Sequence, residues 1–470
     1  MLQTICKIAI LVASGLLIAA PVSPVNLNNL TGITGLIILF SSLPALSGSY
    51  KKPTFVFLIL SLFLFVKFEL SFGVLVGGVN SMLAIAAIVA VLQVFAIPLK
   101  LGNYDQALQR YLQVKYKRQI SLYVFLSLIT HVLGSFMLFG SVPMLVTIFQ
   151  DSLKKMVPDY KRFLASALSR SFSLVTLWGP GTVNVVLVLE VTGVKWLYVL
   201  LPAVFLAFLG LLTSVLLEAK LHLKDQAVLA GDHAAAEGYP ESVPGADEVL
   251  EADEGKGKIR SLVLISLLLI AAIFVMENQH ILTGTTRVIA AGLAIALVWI
   301  WRYRKRPGLA SAWQTYWDNS ILVARDLAAL FIAMGIFAEA VNQAGLISYL
   351  QSGLNSGVAV FGPYSFLLIP PLLILLSLVG IHPFISTMLI GKIFVSIIQI
   401  PNYEILIALS LLLGSVISFV LSPFAGNVLT ISRMLECSPQ EVSYKWNGLF
   451  SLVFFLEAIA FFFILKAWVL

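Results

Sequence analysis

Leu177-Trp178-Gly179-Pro180-Gly181-Thr182-Val183-Asn184 decides how this chain folds. The stretch interrupts apolar sequence, with Phe172 to Leu177 before it and Val185 to Leu189 after it. Gly-Pro-Gly removes a backbone donor, admits unusual dihedrals and stops a helix. At membrane depth such a break persists only where protein or a watery cavity satisfies the freed backbone groups. A second break follows at Ser422-Pro423-Phe424-Ala425-Gly426-Asn427. Each asparagine follows its proline by four residues, and Pro423 lies 243 residues after Pro180. The same offset lays Pro158 over Pro401 and Tyr160 over Tyr403, which is the mark of an internal duplication.

Composition names the solvent. With 59% hydrophobic and 11% charged residues and a mean hydropathy of +0.98, the chain is an integral membrane protein. Apolar runs of about twenty residues recur, each able to cross a hydrocarbon core of ~30 Å. They do not alternate, so the spans are helices and not the strands of an outer-membrane barrel. The net charge of +7 resides in short loops between spans. Positive-inside topology accounts for it, and no nucleic-acid partner is implied. Cys6 and Cys437 lie in or beside apolar segments, which excludes a disulfide framework and any zinc spacing.

Loop charge orients the spans. Residues 4–22 form a first, uncleaved span; a signal peptide ending at Ala19-Ala20-Pro21 is the other reading. Spans at 30–48, 53–72 and 78–98 follow, with basic loops at 51–52 and 100–118. The loop beyond residues 119–150 is basic again (Lys154, Lys155, Lys161, Arg162). The segment between two cytoplasmic loops enters and returns, so 119–150 is a re-entrant hairpin tipped at Phe139-Gly140-Ser141-Val142-Pro143. Residues 160–192 then cross as a broken helix and 196–218 return. In the second half, spans at 259–277, 286–302 and 319–341 precede a hairpin at 358–398 tipped at Gly380-Ile381-His382-Pro383. Its flank, Gln399 to Tyr403, carries no basic residue, which places it outside.

The expected fold class is therefore an all-α integral membrane protein. It has two inverted repeats of five spans plus one N-terminal helix, each repeat with a re-entrant hairpin and a broken helix. The divisions are 1–29, an N-terminal span and loop; 30–218, the first repeat; 219–258, a linker; and 259–470, the second repeat. Nine acidic residues and no Lys or Arg fall between 225 and 254, so the linker is expected to be cytoplasmic and disordered. The N-terminus is then cytoplasmic and the C-terminus external, in the cell membrane.

Gly335-Ile336-Phe337-Ala338-Glu339-Ala340-Val341-Asn342-Gln343-Ala344-Gly345-Leu346, the order hairpin, link, broken helix, and the paired breaks together resemble the ion transporter superfamily. That superfamily holds arsenite-pump membrane subunits, NhaB- and NhaD-type sodium/proton antiporters, and divalent anion:sodium symporters. The resemblance covers most of residues 30–470. It implies a homodimer with a scaffold domain and a moving transport domain, working by an elevator-like shift. Neither hairpin tip carries the Ser-Asn-Thr of the dicarboxylate carriers; Phe139-Gly140-Ser141 and Gly380-Ile381-His382 stand there instead.

The candidate site follows from the breaks. Half-helix N-termini favour an anion, and free carbonyls at the C-terminal ends favour a cation. Pro180, Gly181, Thr182 and Asn184 shape the first break, and Ser422, Pro423, Gly426 and Asn427 the second. Asn184 and Asn427 cap the opened backbone, or also ligate solute or ion; the sequence leaves both readings open. Ser141 and Thr387 add hydroxyls near the tips, and His382 with Pro383 forms one of them. Arg170 lies ten residues past Tyr160, ~15 Å along a helix and so near mid-bilayer, where a charge reads as functional. His131, in the first hairpin, reads as structural.

The expected function is secondary active transport of a small anion, carboxylates included, in a lipid membrane. The coupling ion is sodium or a proton, with sodium placed at the breaks near Asn184 and Asn427, and no other cofactor or metal. A sodium/proton antiporter is the alternative. An intramembrane enzyme is disfavoured, because Gly-x-Ser-x-Gly, His-Glu-x-x-His and paired intramembrane aspartates are missing from the sequence.

Overall fold

The computed structural model describes every residue except 1, 47, 116–117, 138–139, 224–245, 283, 347–359, 399, 401–402 and 470. Helices dominate because apolar spans in lipid must satisfy their backbone groups internally. The first half contains α1 (Leu2–Ala19), α2 (Asn28–Ser42), α3 (Gly48–Lys67), α4 (Phe72–Leu92), α5 (Ala96–Leu101) and α6 (Tyr104–Lys115). A hairpin of α7 (Gln119–Met137) and α8 (Ser141–Met156) follows. Then come α9 (Tyr160–Val175) and α10 (Val183–Thr192), separated by the first break, and α11 (Trp196–Glu218). The second half runs α12 (Ala246–Asn278), α13 (Gly284–Arg302), α14 (Leu309–Thr315) and α15 (Ile321–Gln343). Its hairpin has α16 (Ile369–Leu378), led by a 3-10 turn at Gly362–Leu368, and α17 (Pro383–Ile397). The second broken helix is α18 (Tyr403–Leu421) and α19 (Gly426–Met434), and α20 (Trp446–Val469) ends the chain. Among the described residues, nine helices are long and apolar enough to cross a membrane. The chain is an all-α, multi-pass membrane protein.

Four boundaries differ from expectation. The second span stops at Ser42, because Leu43-Pro44-Ala45 turns the chain in a 3-10 turn. The loop at 100–118 contains the amphipathic α6, which lies against α12. Helix α8 continues past residue 150 to Met156, so the first hairpin has longer arms than its apolar length indicates. The linker is helical at both ends: α11 runs into a π-turn at Ala219–Leu223, and α12 begins at Ala246. Ala246, Glu248, Leu250 and Glu251 are good helix formers joined to a span, and their propensity outweighs their charge. The remainder of the linker, 224–245, lies outside the described residues, as do the flank at 399 and 401–402 and Phe139 of the first tip.

The centre of the fold is the crossing of α4 and α15, its most extensive helix pair. Small residues let the backbones touch, as is usual between helices in lipid. A Cβ on Gly78 would lie 2.6 Å from Ile336 Cα, and one on Gly335 would lie 2.2 Å from Gly78 O. No larger residue fits either place without separating the pair.

Element boundaries recur at the same offset. Gln119 and Gly362, Tyr160 and Tyr403, and Val183 and Gly426 open corresponding elements, each pair 243 residues apart. Packing also comes in matched pairs: α7 on α9 as α16 on α18, and α10 on α17 as α19 on α8. The broken helices run in opposite senses. Lys161 Nζ, where the first begins, donates to Glu436 O, just past the end of the second, at 3.1 Å. At the far end of the first, Val191 sits against Gly391, on the arm that leads to the start of the second.

Candidate functional site at the two breaks

Each break is built by its own short-range bonds. In the first, Gly179 N–H donates to Val175 O at 2.9 Å, finishing α9. Thr182 then donates through Oγ1 to Gly179 O at 2.8 Å and accepts from Val185 N–H, which starts α10. In the second, Ser422 Oγ donates to Ser377 O at 2.7 Å, tying the break to the hairpin, and accepts from Phe424 N–H. Helix α19 starts after Ala425 with no side-chain cap, so its first N–H groups are left for another acceptor.

The asparagines do not cap. Asn184 Nδ2 donates to Thr176 O at 3.2 Å, across its own break, while Asn427 Nδ2 reaches Ser173 Oγ on α9 at 3.4 Å. Their Oδ1 atoms are buried and accept no hydrogen bond among the described residues. A buried unpaired carbonyl of this kind marks a place where a ligand or water belongs.

Both asparagines line one small cavity, together with Tyr50, Thr176, Thr182 and His382. It has room of about 20 Å³, enough for one water or one ion of similar size. His382 heads α17 as its N-cap, Nδ1 accepting from Phe384 N–H at 3.3 Å. In the neutral ring the proton is then on Nε2. A second cavity of about 380 Å³ adjoins the first and shares Tyr50, Phe172, Gly426 and Asn427 with it. Gln93, Gly140, Val142, Pro143 and Thr430 complete its wall. Gln93 Nε2 is buried there with no acceptor among the described residues. Helix α8 begins at Ser141 beside this cavity with no side-chain cap, as α19 does at Gly426. The small cavity presents acceptors and the larger one presents donors.

Of the residues singled out in the sequence, Thr182, Asn184, His382, Gly426 and Asn427 meet at the small cavity. Pro180 faces away from it, into a third cavity with Glu190, Lys195, Glu277 and Arg287. Gly181 is held between: a Cβ there would lie 2.8 Å from Leu92 Cδ1. Pro383 begins α17, and Thr387 Oγ1 is bonded to Ser415 Oγ at 2.6 Å. Ser141 is buried in the first turn of α8, and Ser422 and Pro423 shape the second break from within.

Arg170 is not in either lining. Its guanidinium donates to Asn447 Oδ1 and Trp446 O at 2.7 Å, lies 3.5 Å from Glu218 Oε2 and stacks over Phe450. Glu218, fully buried, is also bonded by Arg162. The positive charge that looked available for a solute is bound to a buried carboxylate at the end of α11 and to Trp446 and Asn447 at the start of α20. His131 ties the hairpin to the break: Trp178 Nε1 donates to its Nε2 at 2.9 Å, and Ser171 O lies 3.3 Å from Nδ1. Sequence reasoning missed Tyr50 and Gln93. Gln93 has a signal, being the only polar side chain in the apolar run from Met82 to Leu99. Tyr50, beside Lys51 and Lys52, has none.

No protein-family profile matches this chain, and no curated relative does. Solved structures do. The fold is similar to the Alcanivorax borkumensis YdaH transporter, with a TM-score of 0.53 and 13% identity over 89% of this chain and 98% of that one. It is likewise similar to Neisseria gonorrhoeae MtrF, of a class of antimetabolite efflux pumps, with a TM-score of 0.54 and 12% identity over 87% and 94%. The architecture is that of membrane transporters. At these identities the likeness is one of fold.

Proposed function

We propose that this chain is a secondary active transporter that moves a small anion together with a sodium ion or proton. One observation carries the proposal: unpaired acceptors in an ion-sized cavity adjoin an unpaired donor in a solute-sized one. Asn184 Oδ1 and Asn427 Oδ1 are hard oxygen ligands suited to a cation. Gln93 Nε2 and the uncapped starts of α8 and α19 are donors suited to an anion, which helix N-termini also favour electrostatically. Asn427 lines both cavities, so cation and anion share a wall, and binding of one stabilises the other. Where a proton replaces sodium as the coupling ion, it binds His382 at Nδ1 and displaces the bond from Phe384 N–H.

The antiporter alternative has less support, because among the described residues neither lining contains a carboxylate. The ion transporter superfamily, the inverted repeat, the homodimer and the elevator-like shift belong to the same proposal. The antiparallel broken helices support the inversion.

Thermal unfolding of the purified protein with a panel of small anions, with and without sodium, tests the reading. Sodium should raise Tm alone, and one class of anion should raise it further only with sodium present. A protein indifferent to sodium, protons and every anion would remove the coupled-carrier reading. The inversion has its own test: Asp159→Cys and Glu404→Cys, in a chain lacking Cys6 and Cys437, should be labelled from opposite sides of the membrane.

A further inference from the structure

A groove between α12 and α13, remote from both breaks, has no part in that proposal. It has room of about 980 Å³, which makes it larger than the cavities of about 20 and 380 Å³ at the breaks. Its two ends differ. Leu264, Leu268 and Val298 form an apolar wall facing outward, Val298 being 70% exposed. Ile265 and Trp299, both buried, form the floor. The other end is closed by Lys258, Arg302 and Arg304, with Tyr104, Ser261 and Trp301 among them.

The dimensions fit one half of a bilayer. Lys258 and Leu268 are ten residues apart on α12, ~15 Å along the helix, and Ala294 and Arg302 are eight apart on α13, ~12 Å. The longer of the two is half of a hydrocarbon core of ~30 Å. The cationic end therefore falls at the headgroup level when the apolar end lies at the midplane. Lys256 and Arg260 flank Lys258 in the sequence, Lys305 and Arg306 follow Arg304, and among the described residues no carboxylate lines the groove. Arg304 is braced over the Trp301 ring at 4.0 Å, and Lys258 lies over Tyr104 at 5.0 Å and donates to Gly102 O. Arg302 is exposed and has no partner among the described residues.

We infer that this groove binds one anionic phospholipid. The phosphate lies between Arg302, Arg304 and Lys258, and an acyl chain runs along Leu264, Leu268 and Val298. Charge complementarity decides for a lipid over a second copy of the chain, because two such cationic ends would face each other across a two-fold interface. Basic pockets between helices at a membrane surface are where acidic headgroups are held.

Native mass spectrometry of the detergent-purified chain, supplied with phosphatidylglycerol or phosphatidylcholine, provides the test. The wild type should retain phosphatidylglycerol at least tenfold better than phosphatidylcholine. The Arg302→Gln/Arg304→Gln pair should lose that preference while eluting as a folded protein. Val298→Trp, which fills the apolar end and leaves the charges in place, should reduce retention of both lipids. Equal retention of the two lipids by the wild type would overturn the inference, as would full phosphatidylglycerol retention by the arginine pair. A thermal shift reproduced by inorganic phosphate alone would reduce the site to an anion contact and overturn it too. A photo-crosslinking residue at position 298 in phosphatidylglycerol vesicles should give an adduct of lipid mass. An adduct of two chains would assign the groove to a second copy.

Discussion

The two breaks share a proline-to-asparagine spacing but are closed differently. The first is capped from within: Thr182 caps α10, Asn184 donates back to Thr176 O, and Pro180 faces a separate cavity. The second is left open: Ala425 caps nothing, Asn427 reaches Ser173 on the other repeat, and Gly426 and Asn427 line both central cavities. Two breaks of like spacing thus have unlike surroundings. The first break holds Asn184 Oδ1 at the small cavity alone, whereas the second borders both cavities. In the proposed carrier this division makes one wall respond to both occupants.

The largest expected effect tests the frame on which the comparison depends. The Ser173 contact exists only while α9 is held in place, and Arg170 on that helix is fixed by Glu218, Asn447 and Trp446. Arg170→Gln removes one partner of a buried ionic network and should cost about 3 kcal/mol of stability. Denaturation of the detergent-solubilised protein measures it. A stable variant with a raised solute KM would return Arg170 to the site and undo the assignment made here.

Next comes the shared residue. Asn427→Ala removes a wall of both cavities and should weaken sodium-dependent uptake about a hundredfold, or ~2.7 kcal/mol. Proteoliposome uptake across a range of sodium and solute concentrations should show both dependences displaced together. Displacement of only one would show that the second break is no more a junction than the first.

Single-cavity substitutions should separate the two dependences. Asn184→Ala should weaken sodium about tenfold, ~1.4 kcal/mol, and leave the solute KM at saturating sodium near the wild-type value. Gln93→Leu should do the reverse in the same uptake assay. If both residues shift both dependences equally, the cavities act as one site.

The smallest effect exchanges the caps. Thr182→Ala should destabilise by ~1 kcal/mol, the usual worth of an N-cap. Ala425→Ser installs a cap at the second break and should stabilise by a similar amount. By occupying the α19 N–H groups it should also lower anion affinity, read by thermal shift with the anion. A stabilised protein with unchanged affinity would show that those N–H groups do not meet the solute.

Much of the fold was legible because its signals are local. Gly179-Pro180-Gly181 cannot continue a helix in any context, and the apolar runs have no water-soluble alternative. The 243-residue offset located corresponding elements to within a residue at Tyr160 and Tyr403. Where local signals competed, the reading failed: charge at 246–258 looked like linker, but helix formers continuous with a span made it part of α12. The site was half legible for the same reason. Asn184 and Asn427 stand at breaks that the chain itself dictates, but Tyr50 and Gln93 reach the cavities from helices far away in sequence.

By itself the sequence determined the solvent, the helical class, the two breaks and the residues standing at them. These follow from backbone chemistry within a few residues and from the free energy of placing side chains in lipid. Tertiary structure alone decided which polar groups are satisfied. Arg170 is paired because Glu218 and Asn447 are brought to it, and Asn427 Oδ1 is unpaired because nothing described is brought to it. Whether a buried polar atom has a partner depends on distances between helices that are hundreds of residues apart in the chain, and no local pattern contains them.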